Sequence, residues 1–238
     1  MRFSGGNGNT MKEILAIIPA RGGSKGIPRK NVTPLAGQPL ISYTIQVAKA
    51  SKFITRLVVS TDDEEIARTA AGCGAEVVKR PAEISGDLAS SEAALLHVLD
   101  HLEQTEQYSP ELLVFLQCTS PLTTAADIDG TIHTLLENGA DTALTVTPFH
   151  YYLWRHNSRG EVEGINHDKY HRPMRQEREP QFLETGAVYV MEAEAFKKNK
   201  YRFFGKTVMH VTPEERCCEI DEPVDLIIAE QLILHQKQ

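Results

Sequence analysis

The sequence predicts an α/β protein built on a mostly parallel sheet with helices on both faces. Three observations predict it. Short apolar runs alternate with helical patterns over the first 148 residues. Those runs are almost continuously hydrophobic, as strands buried on both faces are. A loop of glycines and cations follows the first run directly, where open parallel sheets bind their ligands. With 238 residues and 41% hydrophobic content, the chain can bury a real core as one large domain or as one domain with an insertion.

The elements follow in order. EILAIIPA (13–20) reads as a buried strand, and PLISYTIQVAKAS (39–51) as a helix with apolar spacing at Leu40, Val47 and Ala48. RLVVST (56–61) is a strand. Thr61 and Glu64 are spaced as a capping box, opening a helix to about Gly72. AEVVKR (75–80) is the next strand and SEAALLHVLDHLEQ (91–104) an amphipathic helix. ELLVFLQ (111–117) is the most apolar strand and is expected at the sheet centre. A helix over 123–139 has a start signal in Thr124 with Asp127 and a glycine stop; DTALTVTP (141–148) returns to strand.

The rhythm changes over 149–181. This stretch is polar and basic, lacks a helical period, and holds the only Trp, Trp154, and three of the seven Tyr. So many large aromatics do not suit a linker. The stretch is expected to leave the sheet between two parts of one core, 11–148 and 182–238, with its aromatics covered by a second subunit. Strand text resumes over 182–191, followed by a short helix (192–199), a strand near 206–211 and a final helix over 223–236.

Composition removes several function classes. No apolar run approaches the roughly 20 residues needed to span a bilayer. MRFSGGNGNT lacks the apolar centre of a signal peptide and reads as a disordered tail over 1–10, with Met11 an equally good start. Cys73, Cys118, Cys217 and Cys218 show no metal spacing and suit idle thiols in the cytoplasm. The nine histidines form no ligand pattern. A net charge of −7 disfavours nucleic acid and anionic membranes.

Against that acidic background, residues 14–37 contain Arg21, Lys25, Arg29 and Lys30 and no carboxylate. Gly22, Gly23 and Gly26 allow close backbone approach to phosphate, and the cations neutralise its charge. The spacing is neither GxxxxGK[ST] nor GxGxxG. On charge and glycines alone, a solvated turn remains open as the other reading.

IPARGGSKGIPRKN, STDDEEIA, RPAEISGDLASS, LQCTSPL and EIDEPVD, in that order, closely resemble the acylneuraminate cytidylyltransferases. The resemblance spans nearly all of 13–235 and implies a three-layer, Rossmann-like nucleotidyltransferase fold with a small dimerisation insertion. It implies a homodimer that joins CTP to a nonulosonic acid with Mg²⁺ or Mn²⁺, giving a CMP-sugar and pyrophosphate. N-acetylneuraminate or a relative such as legionaminate is the favoured acid, ahead of pseudaminic and deaminated acids. The alternatives are an eight-carbon ulosonate, or a non-catalytic binding protein on the same scaffold.

The resemblance also implies roles. Arg21, Ser24 and Lys25 would hold the triphosphate, Lys30 would lie near the α-phosphate, and Asn31 near the cytidine; Arg21, Lys30 and Asp221 would carry the chemistry. Arg80 and Ser91 match nucleotide positions, although Arg80 also suits a surface ion pair and Ser90 or Ser91 a helix cap. Gln117 would contact the sugar acid. Arg172, Arg175 and Gln176 resemble a basic element for the sugar or the phosphates, with Arg175 and Gln176 the closest match; Glu177, Arg178 and Glu179 suit a dimer rim. Asp221 and Glu219 would bind the cation, with Asp221 the stronger candidate because relatives usually carry two Asp there. Asp221 also suits a helix start, and Asp62 a cap. Relatives often have Asn-Gly where this chain has Thr185-Gly186.

Overall fold

The computed structural model describes residues 12–24 and 26–236. The expected tail over 1–10, the Met11 start and the role expected of Lys25 lie outside the described residues.

The apolar runs form one seven-stranded sheet. Its strands are β1 (Ile14–Pro19), β4 (Arg56–Thr61), β5 (Glu76–Lys79), β6 (Leu112–Leu116), β7 (Thr142–Phe149), β10 (Gln181–Glu192) and β11 (Thr207–Val211). Their spatial order is β11-β7-β10-β6-β1-β4-β5, which puts β6 fourth of seven, at the centre its composition predicts. β1 pairs parallel with β4 and β6, β4 with β5, and β7 with β11; β10 runs antiparallel to β6 and β7.

Successive β1 residues face opposite sides of the sheet, and both sides are covered. Ala16 and Ile18 pack with Ile41 and Ile45 of α1 (Leu40–Ala50), Ile66 of α2 (Glu64–Gly72) and Ile132 of α4 (Ala125–Asn138). Leu15 and Ile17 face Leu95 and Leu99 of α3 (Ser91–Glu106) and Phe196 of α5 (Ala193–Asn199). This three-layer burial explains the near-absence of polar alternation in the central strands. A third cluster joins Ile27, Leu35, Leu40 and Ile220 to Ala229 and Ile233 of α6 (Pro223–Gln236). It fixes the segment before α6 against the loop after β1.

One start signal differs from expectation. α2 is capped by Asp63, whose side chain accepts from the Glu65 and Ile66 amides, and not by Thr61. Thr61 is held in β4 by pairing with Lys79, so its backbone cannot take the cap position. Its hydroxyl instead accepts from the Asp63 amide at 3.1 Å. The expected capping box at Thr124 and Asp127 is present.

Between β7 and β10 the chain leaves the sheet. It forms a small hairpin, β8 (Trp154–His156) with β9 (Val162–Gly164), and a 3-10 turn at Arg175–Glu177. Tyr152 sits between two guanidiniums, Arg172 at 4.6 Å and Arg178 at 4.2 Å from its ring centre. Arg178 also donates to the His150 carbonyl at 2.6 Å, so this residue braces the excursion from within. A second, shorter hairpin that the sequence did not suggest, β2 (Pro34–Leu35) with β3 (Gln38–Pro39), leads into α1.

Candidate active site

A cleft of about 430 Å³ opens at the carboxyl rim of β1, β5 and β6. Arg21, Ser24, Lys30, Asn31, Arg80, Ser91, Gln117, Glu219 and Asp221, named from sequence as separate motifs, all line it.

The loop after β1 is anchored on two sides. The Gly22 amide donates to Asp62 Oδ1 at 3.0 Å, and a Cβ on Gly22 would sit 3.0 Å from Asp63. Asp62 is therefore a loop anchor, and its neighbour Asp63 is the cap. Arg29 holds Asp63 with both guanidinium nitrogens at 3.0 Å and reaches Glu65 at 2.5 Å. Its backbone is left-handed, with φ 56°, a conformation that costs energy in a non-glycine residue. This bidentate pair pulls the Asp63 carboxyl below its usual range. Arg29 is thus a clamp and not a solvated charge. On the other side, a Cβ on Gly26 would lie 2.2 Å from the Asp221 carbonyl oxygen, so only glycine allows the loop to approach the acidic segment this closely.

Lys30 crosses the same gap. Its ammonium donates to the Ile220 carbonyl at 2.7 Å and to Asp221 Oδ1 at 2.9 Å. The Asn31 amide donates to the Arg21 carbonyl at 3.0 Å. The Arg21 side chain leans across the cleft mouth, donating to the Gly86 carbonyl at 2.9 Å and lying 3.7 Å from Asp87. A bound triphosphate would compete with Asp87 for that guanidinium, a contact invisible in the linear sequence.

Arg80 is the most unusual group in the cleft. It is only 6% exposed. Its side chain donates to the Ser60 hydroxyl at 3.2 Å and the Ser60 carbonyl at 2.7 Å. Among the described residues no carboxylate lies within ion-pair distance of it, which excludes the surface ion pair. Burial pulls its pKa down, partly offset by Asp62. A buried cation without a counterion is costly, and it suits an anionic ligand. Beside it, Ser90 caps α3 by accepting from the Ala93 amide at 3.2 Å, which leaves the Ser91 hydroxyl to face the cleft at a helix N-terminus, a favourable place for phosphate.

The far wall comes from β6, β10 and the segment before α6. Ile220 donates its amide to the Thr119 carbonyl at 2.8 Å, fixing the acidic segment to the turn after β6. Thr119 Oγ1 lies 3.5 Å from Gln117 Oε1 and 3.4 Å from Glu219 Oε1. Asp221 does not cap α6. That work falls to Asp225, whose carboxylate accepts from the Asp221 and Glu222 amides at 3.0 and 2.8 Å. The Asp221 carboxylate is therefore left for the cleft, with 66% of its side chain exposed. Burial and the neighbouring Asp221 push the Glu219 carboxyl above its usual range.

Among the described residues no cluster of three or more His, Cys, Asp or Glu could hold a metal alone. An exposed aspartate beside Lys30 does fit a hard cation that takes one or two carboxylates and completes its shell with ligand phosphates.

Arg175 and Gln176 lie elsewhere. They line a separate cavity of about 340 Å³ with Phe149, His150 and Phe182, and that cavity shares no residue with the cleft. Within one chain the structure does not bring them to the cleft.

Comparison with known proteins adds an independent line. A family model described as "Cytidylyltransferase" matches residues 15–229. The chain is 34% identical over 228 residues to N-acylneuraminate cytidylyltransferase A of Danio rerio, covering 94% of this chain and 51% of that protein. It thus spans about half the length of that relative. It is 32% identical over 222 residues to the pseudaminic acid cytidylyltransferase of Campylobacter jejuni subsp. jejuni, covering 92% of this chain and 95% of the other. Among solved structures, a CMP:2-keto-3-deoxy-manno-octonic acid synthetase complexed with CTP matches with TM-score 0.69 at 15% identity, over 94% of this chain and 99% of that one. A 4-diphosphocytidyl-2C-methyl-D-erythritol synthase from Anaerococcus prevotii matches with TM-score 0.68 at 12% identity, over 94% and 100%. These two likenesses show the shared nucleotidyltransferase fold.

Proposed function

The chain belongs to the cytidylyltransferase family, and from that premise we propose that it joins CTP to a nonulosonic acid, releasing pyrophosphate. The anomeric hydroxyl oxygen of the acid forms a bond to the α-phosphorus and gives up its proton to solvent, and the bond from that phosphorus to pyrophosphate breaks. The observation that carries the reading is the buried Arg80, without an ion-pair partner, in one cleft with Arg21 and Lys30.

Arg21, Arg80 and Lys30 bind the triphosphate, and Ser24 and Ser91 donate hydrogen bonds to it. Asn31 orients the loop beside the nucleoside. Once Arg21 has exchanged Asp87 for the triphosphate, these groups surround it before reaction, so stabilising the charge on the departing pyrophosphate needs little further reorganisation. Asp221 would hold Mg²⁺ or Mn²⁺, which supplies charge neutralisation at the phosphate oxygens when bound. Gln117 faces the acid, and holding the two substrates in line supplies much of the remaining acceleration.

N-acetylneuraminate or a close relative such as legionaminate is the acid we favour. The relatives at 30% identity or above that are named for their acids carry N-acylneuraminate or pseudaminic acid in the name. The eight-carbon alternative has support only from a match at the level of fold. Pyrophosphate release from CTP, measured across a panel of acids, tests this. The expected result is release with an N-acylneuraminate-type acid. Release with the eight-carbon acid alone would move the assignment there. CTP binding without release from any acid would make the chain a binding protein.

We also propose a homodimer in the cytoplasm. Tyr151 is 60%, Trp154 50% and Tyr170 86% exposed on the excursion, and such a surface favours cover by a second copy. Arg175 and Gln176 would then serve the sugar pocket of the partner. Sedimentation at micromolar concentration is expected to give a dimer, and a fully active monomer would remove this assembly.

A further inference from the structure

Resting on the proposed transfer to a nonulosonic acid, we infer that the two carboxylates of the EID segment have separate tasks: Asp221 serves the phosphates and the cation, and Glu219 accepts a hydrogen bond from a hydroxyl or acylamino N–H of the acceptor acid. Glu219 is then a specificity-determining residue and not a second metal ligand.

The two side chains have different hydrogen-bond partners. Asp221 Oδ1 accepts from Lys30 Nζ at 2.9 Å, where that ammonium crosses the gap from the loop after β1. Glu219 Oε1 lies 3.4 Å from the Thr119 hydroxyl. That hydroxyl is also 3.5 Å from Gln117 Oε1, so Gln117, Thr119 and Glu219 form a row. The carboxylate rests directly over Gly186, where a Cβ would meet Oε2 at 3.2 Å and Oε1 at 3.3 Å. The extra methylene that distinguishes Glu from Asp supplies this reach, and Gly186, at φ +70°, supplies the room.

The neighbouring position supports the assignment. Thr185 is 5% exposed and spends its hydroxyl on Thr145 at 2.6 Å. The Thr185-Gly186 turn therefore offers the cleft no polar side chain of its own, and the Glu219 carboxylate occupies the surface above it. Glu219 and the Thr185-Gly186 turn are thus adjacent in space. An ionised carboxylate only accepts hydrogen bonds. At this wall it selects a hydroxyl or N–H of the acid and repels the acid's own carboxylate, which must point elsewhere.

The experiment compares wild type, Glu219→Gln, Glu219→Asp and Asp221→Asn. Two readouts are used: Mn²⁺ binding in the presence of CTP, by electron paramagnetic resonance, and the separate KM values for CTP and for the acid. Glu219→Gln and Glu219→Asp are expected to keep Mn²⁺ affinity and the CTP KM within about twofold, while the KM for the acid rises about tenfold or more, as expected for loss of a hydrogen bond to a charged group. Asp221→Asn is expected to lose Mn²⁺ binding. Loss of Mn²⁺ binding in Glu219→Gln comparable to that in Asp221→Asn overturns the division, as does an unchanged KM for the acid in both Glu219 variants. Absence of pyrophosphate release by wild type with every acid is a different failure, which removes the proposed reaction itself.

Discussion

Asp221→Asn is expected to lower kcat by about 10²–10³-fold, the usual scale for removing one preorganised electrostatic group from a transition state, while the fold is kept. The fold should survive because the Asp221 carboxylate is exposed and does not cap α6; Asp225 does. Among the described residues its side-chain partner is Lys30, whose ammonium keeps a second acceptor in the Ile220 carbonyl. The amide of Asn still accepts from Lys30, so the loop and the acidic segment stay joined. What is lost is the negative charge that would hold a cation against the phosphates. Pyrophosphate release, thermal unfolding and CTP binding without metal should be measured together. The expected pattern is lost turnover with Tm within a few degrees of wild type. Turnover within about threefold of wild type would remove Asp221 from the chemistry.

Arg80→Met should separate function from stability. Arg80 is held in a nearly dry site with no carboxylate among the described residues in ion-pair range, and its charge is carried at a cost that Asp62 offsets only in part. Methionine keeps much of the volume and flexibility of the side chain without the charge. The Ser60 carbonyl would still accept from the Ala20 amide at 2.9 Å, so only the contact to the Ser60 hydroxyl goes without replacement. The expected result is an unchanged or higher Tm without ligand. CTP affinity should fall about 10- to 100-fold, as for a lost hydrogen bond between charged partners. Retained affinity with a lowered Tm would make Arg80 a structural residue.

Much of this was legible in the sequence. Strands buried on both faces leave unbroken apolar runs, and β4 begins and ends where RLVVST does. The loop after β1 stood out as a cleft segment because charge and glycine are rare together in an acidic chain. What was hidden depends on pairs distant in sequence. Arg29 clamps Asp63 and Glu65 from more than thirty residues away, so its role is invisible beside three look-alike cations. The cap of α2 turned on Thr61 being held by β5, a tertiary fact that overrides a local spacing. The leaning of Arg21 onto Gly86 and Asp87, and the turning of Glu219 toward Thr119, likewise belong to the assembled cleft. Arg175 and Gln176 matched by motif, yet lie in a different cavity of the same chain, a separation no linear pattern reports.

The most direct measurement is the crystal structure of the protein with CTP and Mn²⁺, with the metal located by its anomalous signal. The triphosphate is expected against Arg21, Lys30 and Arg80, with Arg21 released from Asp87 and the manganese peak within bonding distance of Asp221. A nucleotide seated away from the loop after β1, or a metal peak remote from Asp221, would contradict the account.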